Sequence, residues 1–202
     1  MQTKTLLRVQ AQSQIRQAIL EAARALISTE GYKGLSMRRL AQDVGYTPKT
    51  IYRYFTDKDD LLSELLEEDL GHLVTYLEEV AASQTDPAQR LDAVALAYVT
   101  YGIAHPHAYQ VMFLLREHPL SREAATRHHH IQGRRLQDLL ACVLSDSGRM
   151  PKTLDEPFVV QALRCALHGV VALRLVRPQA DWPDLEALVS HLVAGVVHES
   201  LP

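Results

Sequence analysis

SMRRLAQDVGYTPKTIYRYF, residues 36–55, decides how this chain is read. Ser36 can cap a helix in which Met37, Leu40, Ala41 and Val44 recur at three- and four-residue spacing, and Gly45 can end it. Thr47 can cap a second helix, and Pro48 in its first turn removes an N–H that has no helical partner there. Two short helices joined through Gly45-Tyr46 and preceded by a supporting helix form a helix-turn-helix, whose second helix fits a major groove. The residue types suit that role. Thr47, Pro48, Lys49 and Thr50 make the exposed first turn, where side chains reach base edges and Lys49 can donate to guanine acceptors. Tyr52, Arg53 and Tyr54, further along, offer hydroxyl and guanidinium donors to phosphates. Lys58 opens the next helix, whose free N–H groups also favour an anion, and Ser36, Arg38 and Arg39 are placed to hold the opposite strand's backbone. Val44, Ile51 and Phe55 are assigned to packing. The plain alternative is that Tyr52 and Tyr54 are half-buried packing residues and the cations only solubilise.

Outward from this stretch, helical spacing recurs throughout and strand alternation is nearly absent, so the expected fold is all-α. Ile15, Ile19, Ala22 and Leu26 stripe a first helix that closes at Glu30-Gly31. Asp57 caps a fourth helix, with Asp59 and Asp60 at the positive end of its dipole, and Leu62, Leu66, Leu70, Leu73 and Leu77 keep one face apolar to about Ala82. Further helices are expected from Asp86-Pro87 to about Ala104, from about Ser121 to Leu144, from about Asp155 to Val176 and from Pro183 to Glu199, with Pro106 and Pro119 as punctuation. The expected division is a helix-turn-helix domain at 1–57 and a helical ligand-binding and dimerisation domain at 58–202. Val159, Leu163, Leu167 and Val170, then Leu188, Leu192 and Val196, are the expected dimer interface on the last two helices.

Charge separates the same two parts. Residues 1–60 carry ten Lys/Arg against six Asp/Glu, and the remainder eleven against eighteen, within an overall charge of -3. A basic head on an acidic body points to a polyanion partner for the head alone. No run is read as approaching the roughly 20 apolar residues of a bilayer span, and the N-terminal stretch lacks the apolar core of a signal peptide, so a cytoplasmic protein without a membrane partner is expected. Cys142 and Cys165 are expected as reduced, buried thiols.

The stretch ILEAARALISTEGYKGLSMRRLAQDVGYTPKTIYRYFTDKDDLLSELL closely resembles the N-terminal DNA-binding domain of TetR-family transcriptional regulators. The matching features are the Ala-Ala helix before Gly31-Tyr32, Ser36, Leu40-Ala41, Val44-Gly45, Thr50-Ile51-Tyr52, Tyr54-Phe55, and Lys58 before Leu61-Leu62. The resemblance implies phosphate contacts from Tyr52, Lys58 and Ser36, with bases read from the start of the third helix. It also implies a helical C-terminal domain that binds a small molecule and dimerises through its last two helices. His105-Pro106, Tyr109 to Phe113, and Leu167-His168-Gly169 are similar to the subgroup named for a Trp-His-Gly signature, with Arg164 standing where the tryptophan is expected.

Tyr98, Tyr101, Tyr109, Met112 and Phe113 supply aromatic and soft side chains suited to an effector cavity, with Arg164 and His168 one turn apart as polar anchors. A cation in an apolar helix face needs a partner, so an unpaired Arg164 suggests an acidic or acyl-type ligand, the rival explanations being a buried carboxylate or an edge position at the dimer interface. His105 and His107 straddle a proline and His128 to His130 point three ways round a helix, so no metal site or cofactor is expected. No acid, base or nucleophile constellation supports an enzyme. The expected function is a ligand-responsive regulator that represses by binding a palindromic operator on double-stranded DNA as a homodimer. The alternative is a ligand-independent, nucleoid-type DNA binder.

Overall fold

The computed structural model describes residues 2–114 and 129–198. Among them every regular element is helical: α1 (Gln2–Gly34), α2 (Met37–Asp43), α3 (Pro48–Ile51), α4 (Lys58–Ser83), α5 (Pro87–Ala104), α6 (Pro106–Tyr109), a π-helical turn at Gln110–Leu114, α7 (His129–Asp146), α8 (Glu156–Val176) and α9 (Leu185–Val197). The helix start expected near Ser121 and the helix end expected at Glu199, like Pro119 and His128, lie outside the described residues.

Local chemistry sets the first boundaries. Gly31 takes φ 72 and ψ 176 inside α1, breaking it where the cap was expected, and Gly45 ends the α2 region at φ 71. Both dihedrals lie where a Cβ is unfavourable. Ser36 accepts from the Arg39 N–H at 3.2 Å and Thr47 from the Thr50 N–H at 3.3 Å. Asp57 caps α4 by accepting from the Asp60 N–H at 2.8 Å. The Asp60 carboxylate reaches back to accept from the Thr56 N–H at 2.8 Å, so the two ends satisfy each other. α1 begins earlier than its apolar stripe, whose first residue is Ile15. The third helix is shorter than expected: after Ile51 the chain tightens, with the Arg53 and Tyr54 N–H groups donating to Thr50 and Ile51 carbonyls.

The chain forms two compact units. The first comprises residues 1–69 together with 107–130, and the second 70–106 together with 131–202. The division falls inside α4 and not at its start, and the chain after Pro106 returns to the first unit. In the first unit Ile19, Leu40, Ile51, Phe55, Leu61 and Leu65 are 0% exposed and form one cluster. Arg24 joins α1 to α4, donating from Nη2 to Asp69 at 2.5 Å and to Glu68 at 3.0 Å. Arg16 pairs with Glu64. In the second unit α5, α8 and α9 pack on one another, and Leu70, Leu73 and Leu77 of α4 are buried. Arg135 bridges to Glu78 and Arg149 to Asp92.

The last two long helices depart from expectation in three ways. Val159, Leu163, Leu167 and Val170 are core residues of a single chain and face inward, while Leu188, Leu192 and Val196 are half-buried. The outward stripe of α8 is Phe158, Ala162, Cys165, Gly169, Leu173 and Val176, where Phe158, Leu173 and Val176 are 58%, 54% and 73% exposed. α8 is apolar on both sides, so the buried face could not be told from the free one by periodicity. For the same reason Cys165, read as buried, is exposed, as is Cys142 on α7. Finally, α8, at 21 residues, is long and apolar enough to cross a membrane. Its buried side packs on α5 and α9.

Candidate nucleic-acid interface

The helix-turn-helix presents one continuous outward side. Ser36, Arg38 and Arg39 are exposed at the start of α2, as are Thr47, Pro48 and Lys49 at the start of α3, followed by Tyr52 and Arg53. Inward, Met37, Leu40, Ala41 and Ile51 are buried. Because α3 is pinned by Ile51 and Phe55, its other side faces water. Among the described residues, Arg38 and Lys49 have no intramolecular partner. Arg39 lies between Glu30 at 3.1 Å and Asp43 at 3.3 Å. Such exposed pairs are worth about 0–1 kcal/mol, little enough for a phosphate to replace them. The Thr47 and Thr50 hydroxyls lie 3.0 Å apart, which fixes both rotamers beside Lys49.

The two tyrosines differ. Tyr52 is 54% exposed, whereas Tyr54 is partly buried against the core of the first unit and serves packing, with the Arg53 guanidinium 5.6 Å from its ring. Lys58 also departs from expectation. Its Nζ donates to the Tyr32 carbonyl at 2.7 Å and sits 3.5 Å from the centre of the Tyr32 ring. Burial lowers the Lys58 pKa, opposed by the Asp59 charge, while burial and then Asp59 raise that of Tyr32. The ammonium therefore caps the chain leaving α1 and would have to leave that carbonyl to reach a phosphate. Sequence reading passed over Tyr46, 40% exposed in the turn between the helices. An aromatic residue next to a turn glycine was the available signal.

Residues 19–65 match the bacterial regulatory proteins of the tetR family, and residues 91–196, just over half of the chain, match the tetracyclin repressor-like C-terminal domain. The chain belongs to the TetR family. An HTH-type transcriptional regulator of Staphylococcus aureus (strain USA300) is 37% identical over 65 residues, which is 32% of this chain and 35% of that one. The match thus spans about a third of the curated relative's length. Two solved structures share the fold. The transcriptional regulator FadR from Bacillus subtilis, in complex with stearoyl-CoA, has a TM-score of 0.75 at 22% identity, covering 90% of this chain and 97% of that one. The fatty acid degradation regulator FadR from Bacillus halodurans has a TM-score of 0.75 at 23% identity, covering 91% and 95%. The C-terminal match carries the TetR assignment no further toward the Trp-His-Gly subgroup.

The residues expected to meet an effector divide between the TetR chain's two units. Tyr109, Met112 and Phe113 belong to the first, and Tyr98, Tyr101, Arg164 and His168 to the second. Tyr98, Tyr109 and Met112 are buried. The Tyr109 and Phe113 rings pack tilted at 4.8 Å between centroids, and those of Tyr101 and His105 at 4.3 Å. His107 hydrogen-bonds Ser28, so the two histidines read as straddling a proline serve different units. Arg164 is half-buried and reaches Gln161 only at 3.5 Å.

Burial, and then the charge of Arg164, lowers the His168 pKa from its ordinary 6.5. The folded state therefore favours neutral His168. Between its folded value and 6.5 the unfolded chain binds more protons, so stability falls as pH drops through that window and levels off below it. His168→Gln is expected to flatten this part of a urea-unfolding profile taken from pH 7.5 to 5. Superimposable profiles for the two proteins would contradict the assignment.

Proposed function

We propose that this chain is a dimeric TetR-type repressor that binds a palindromic operator on double-stranded DNA in the cytoplasm and is released by an acyl-type effector. The observation that carries the DNA reading is the outward side of α2 and α3, where Arg38 and Lys49 are exposed beside Thr47 and Tyr52 and, among the described residues, have no ion-pair partner. Lys49 and the Thr47–Thr50 pair read base edges. Tyr52, Arg53, Ser36, Arg38 and Arg39 position the backbone, and Lys58 joins them only by exchanging the Tyr32 carbonyl for a phosphate.

Dimerisation is proposed through the outward faces of α8 and α9. Leu173, Val176 and Phe158 leave an apolar stripe in water, and a Cβ added at Gly169 or Gly195 meets nothing within 4 Å in one chain. Those glycines leave room for a close neighbour. Effector release is supported by the fold shared with a FadR holding stearoyl-CoA and by the guanidinium of Arg164 beside His168 on an apolar helix. Weakening operator binding tenfold needs only about 1.4 kcal/mol of coupling.

Fluorescence anisotropy of the full chain against duplexes selected from random DNA tests the reading, with scrambled competitor and varied salt. Tight binding with a steep salt slope is expected. Lys49→Ala should relax base preference at one position by about 1–3 kcal/mol, whereas Tyr52→Ala should weaken all duplexes alike. Binding indifferent to sequence would contradict the operator reading, and stearoyl-CoA added to the bound complex tests the effector class.

A further inference from the structure

Residues 1–20 carry three cations, Lys4, Arg8 and Arg16, and the first acidic residue of the chain is Glu21. α1 is helical through this stretch from Gln2 onward, yet its packing against the core of the first unit begins only at Ile15. Gln10 to Gln14 are five consecutive exposed residues. Five residues pass more than once round a helix, so α1 stands in water on every side there. Leu6, one turn further out, is 63% exposed.

A helix held this way is poorly supported. Isolated helices below about 12–15 residues are marginal in water. This one also opens unfavourably, because its first turn has no acidic residue and Lys4 stands in it, toward the positive end of the dipole. A negatively charged neighbour would offset both defects.

The register of α1 indicates which neighbour. Lys4, Arg8, Gln12 and Arg16 follow at four-residue spacing, which keeps them on one slowly winding line. Gln10, Ser13, Gln14 and Gln17 border an open polar hollow beside it. Cations with amide and hydroxyl groups are the side chains that meet nucleic-acid phosphates. The inner end of the cation line is fixed in place. Arg16 pairs with Glu64, and its guanidinium lies 5.5 Å from the ring of Phe55, two residues past Arg53. From this point beside the helix-turn-helix, residues 2–14 extend the line by about 20 Å at 1.5 Å per residue, roughly six phosphate spacings of one DNA strand.

We propose that residues 2–14 form a nucleic-acid arm, with Lys4 and Arg8 neutralising phosphates of the duplex outside the base pairs read by α3; this rests on the reading of the chain as a DNA-binding regulator. The duplex supplies the neighbour that the core does not. A second copy of the arm is a poorer occupant, since two acid-free arms bring like charges together.

Salt-dependent anisotropy of the full chain and of a Lys4→Ala/Arg8→Ala variant tests this. The probes are the tightest duplex recovered from a random pool, with long flanks, and the same duplex trimmed to the base pairs it specifies. Each neutralised phosphate contributes about −0.9 to the slope of log K on log salt, so the variant should be shallower by about 1.8 per head and about 3.6 for the proposed dimer. Over a fourfold rise in salt the wild type should then lose about 150 times more affinity than the variant on the long duplex. On the trimmed duplex the two slopes should coincide, and base preference should be the same in both proteins. Equal slopes on the long duplex would overturn the inference and leave the DNA reading standing. A shallower variant slope on the trimmed duplex as well would overturn the flanking placement. Recovery of no duplex at all would overturn the DNA reading and the inference with it.

Discussion

Phe55→Ala is expected to melt the DNA-binding unit while the second unit stays folded. Phe55 is 0% exposed in a cluster with Ile19, Leu40 and Ile51, and its ring lies 5.5 Å from the Arg16 guanidinium. Truncating a buried phenylalanine costs about 3–5 kcal/mol in transfer and cavity terms. Whole domains have only about 5–15 kcal/mol in hand. In a small unit each kcal/mol moves the midpoint by about 4–8 °C, so most of the unit's thermal margin disappears. Two signals separate the units. Helical ellipticity reports both, whereas the one tryptophan, Trp182, lies in the second unit with its Nε1 donating to the Arg177 carbonyl at 2.9 Å. The variant should show an early loss of ellipticity, an unshifted tryptophan transition and no operator binding. If the tryptophan transition falls by as much as the ellipticity, the units unfold as one and the prediction fails.

What could be read from the sequence was what neighbours along the chain decide. Ser36, Thr47 and Asp57 cap helices because a side-chain oxygen reaches an N–H three residues on, and Gly31 and Gly45 take positive φ because no Cβ obstructs it. The leucines of α4 are buried as their spacing implies. What could not be read depends on distant partners. Lys58 was assigned to a phosphate, but Tyr32, twenty-six residues earlier, offers it a carbonyl and a ring. Tyr54 and Tyr52 look alike in sequence and differ only in which side of a tightened turn they occupy. The segment after Pro106 reads as part of the effector domain, yet Ser28 and the core beneath α3 draw it into the other unit. α8 is the clearest case: past its first turn and apart from Gln161, Arg164, His168 and Arg174 it is apolar, so its pattern does not distinguish the side packed on α5 and α9 from the exposed stripe of Phe158, Leu173 and Val176.

That last ambiguity supplies a decisive test of assembly. Under the proposed dimer, Leu173→Glu is expected to leave the chain monomeric without harming its fold. Leu173 is 54% exposed in one chain, so a carboxylate there remains solvated in the monomer. In a two-fold dimer the same patch meets its own copy, so every substitution counts twice. An interface anchor costs about 2 kcal/mol or more when lost, and two of them raise the dissociation constant by roughly 10³. Operator binding should weaken with it, because two heads no longer engage together. Gly169→Leu gives an opposing pair of signs. Replacing a helical glycine should stabilise the single chain by up to about 1 kcal/mol, since a Cβ there meets nothing within 4 Å, whereas the added bulk should hinder close approach of a second α8. Sedimentation velocity across micromolar concentrations, with urea unfolding of the same samples, reads both quantities. Dimers that persist in both variants would place the interface elsewhere on the chain.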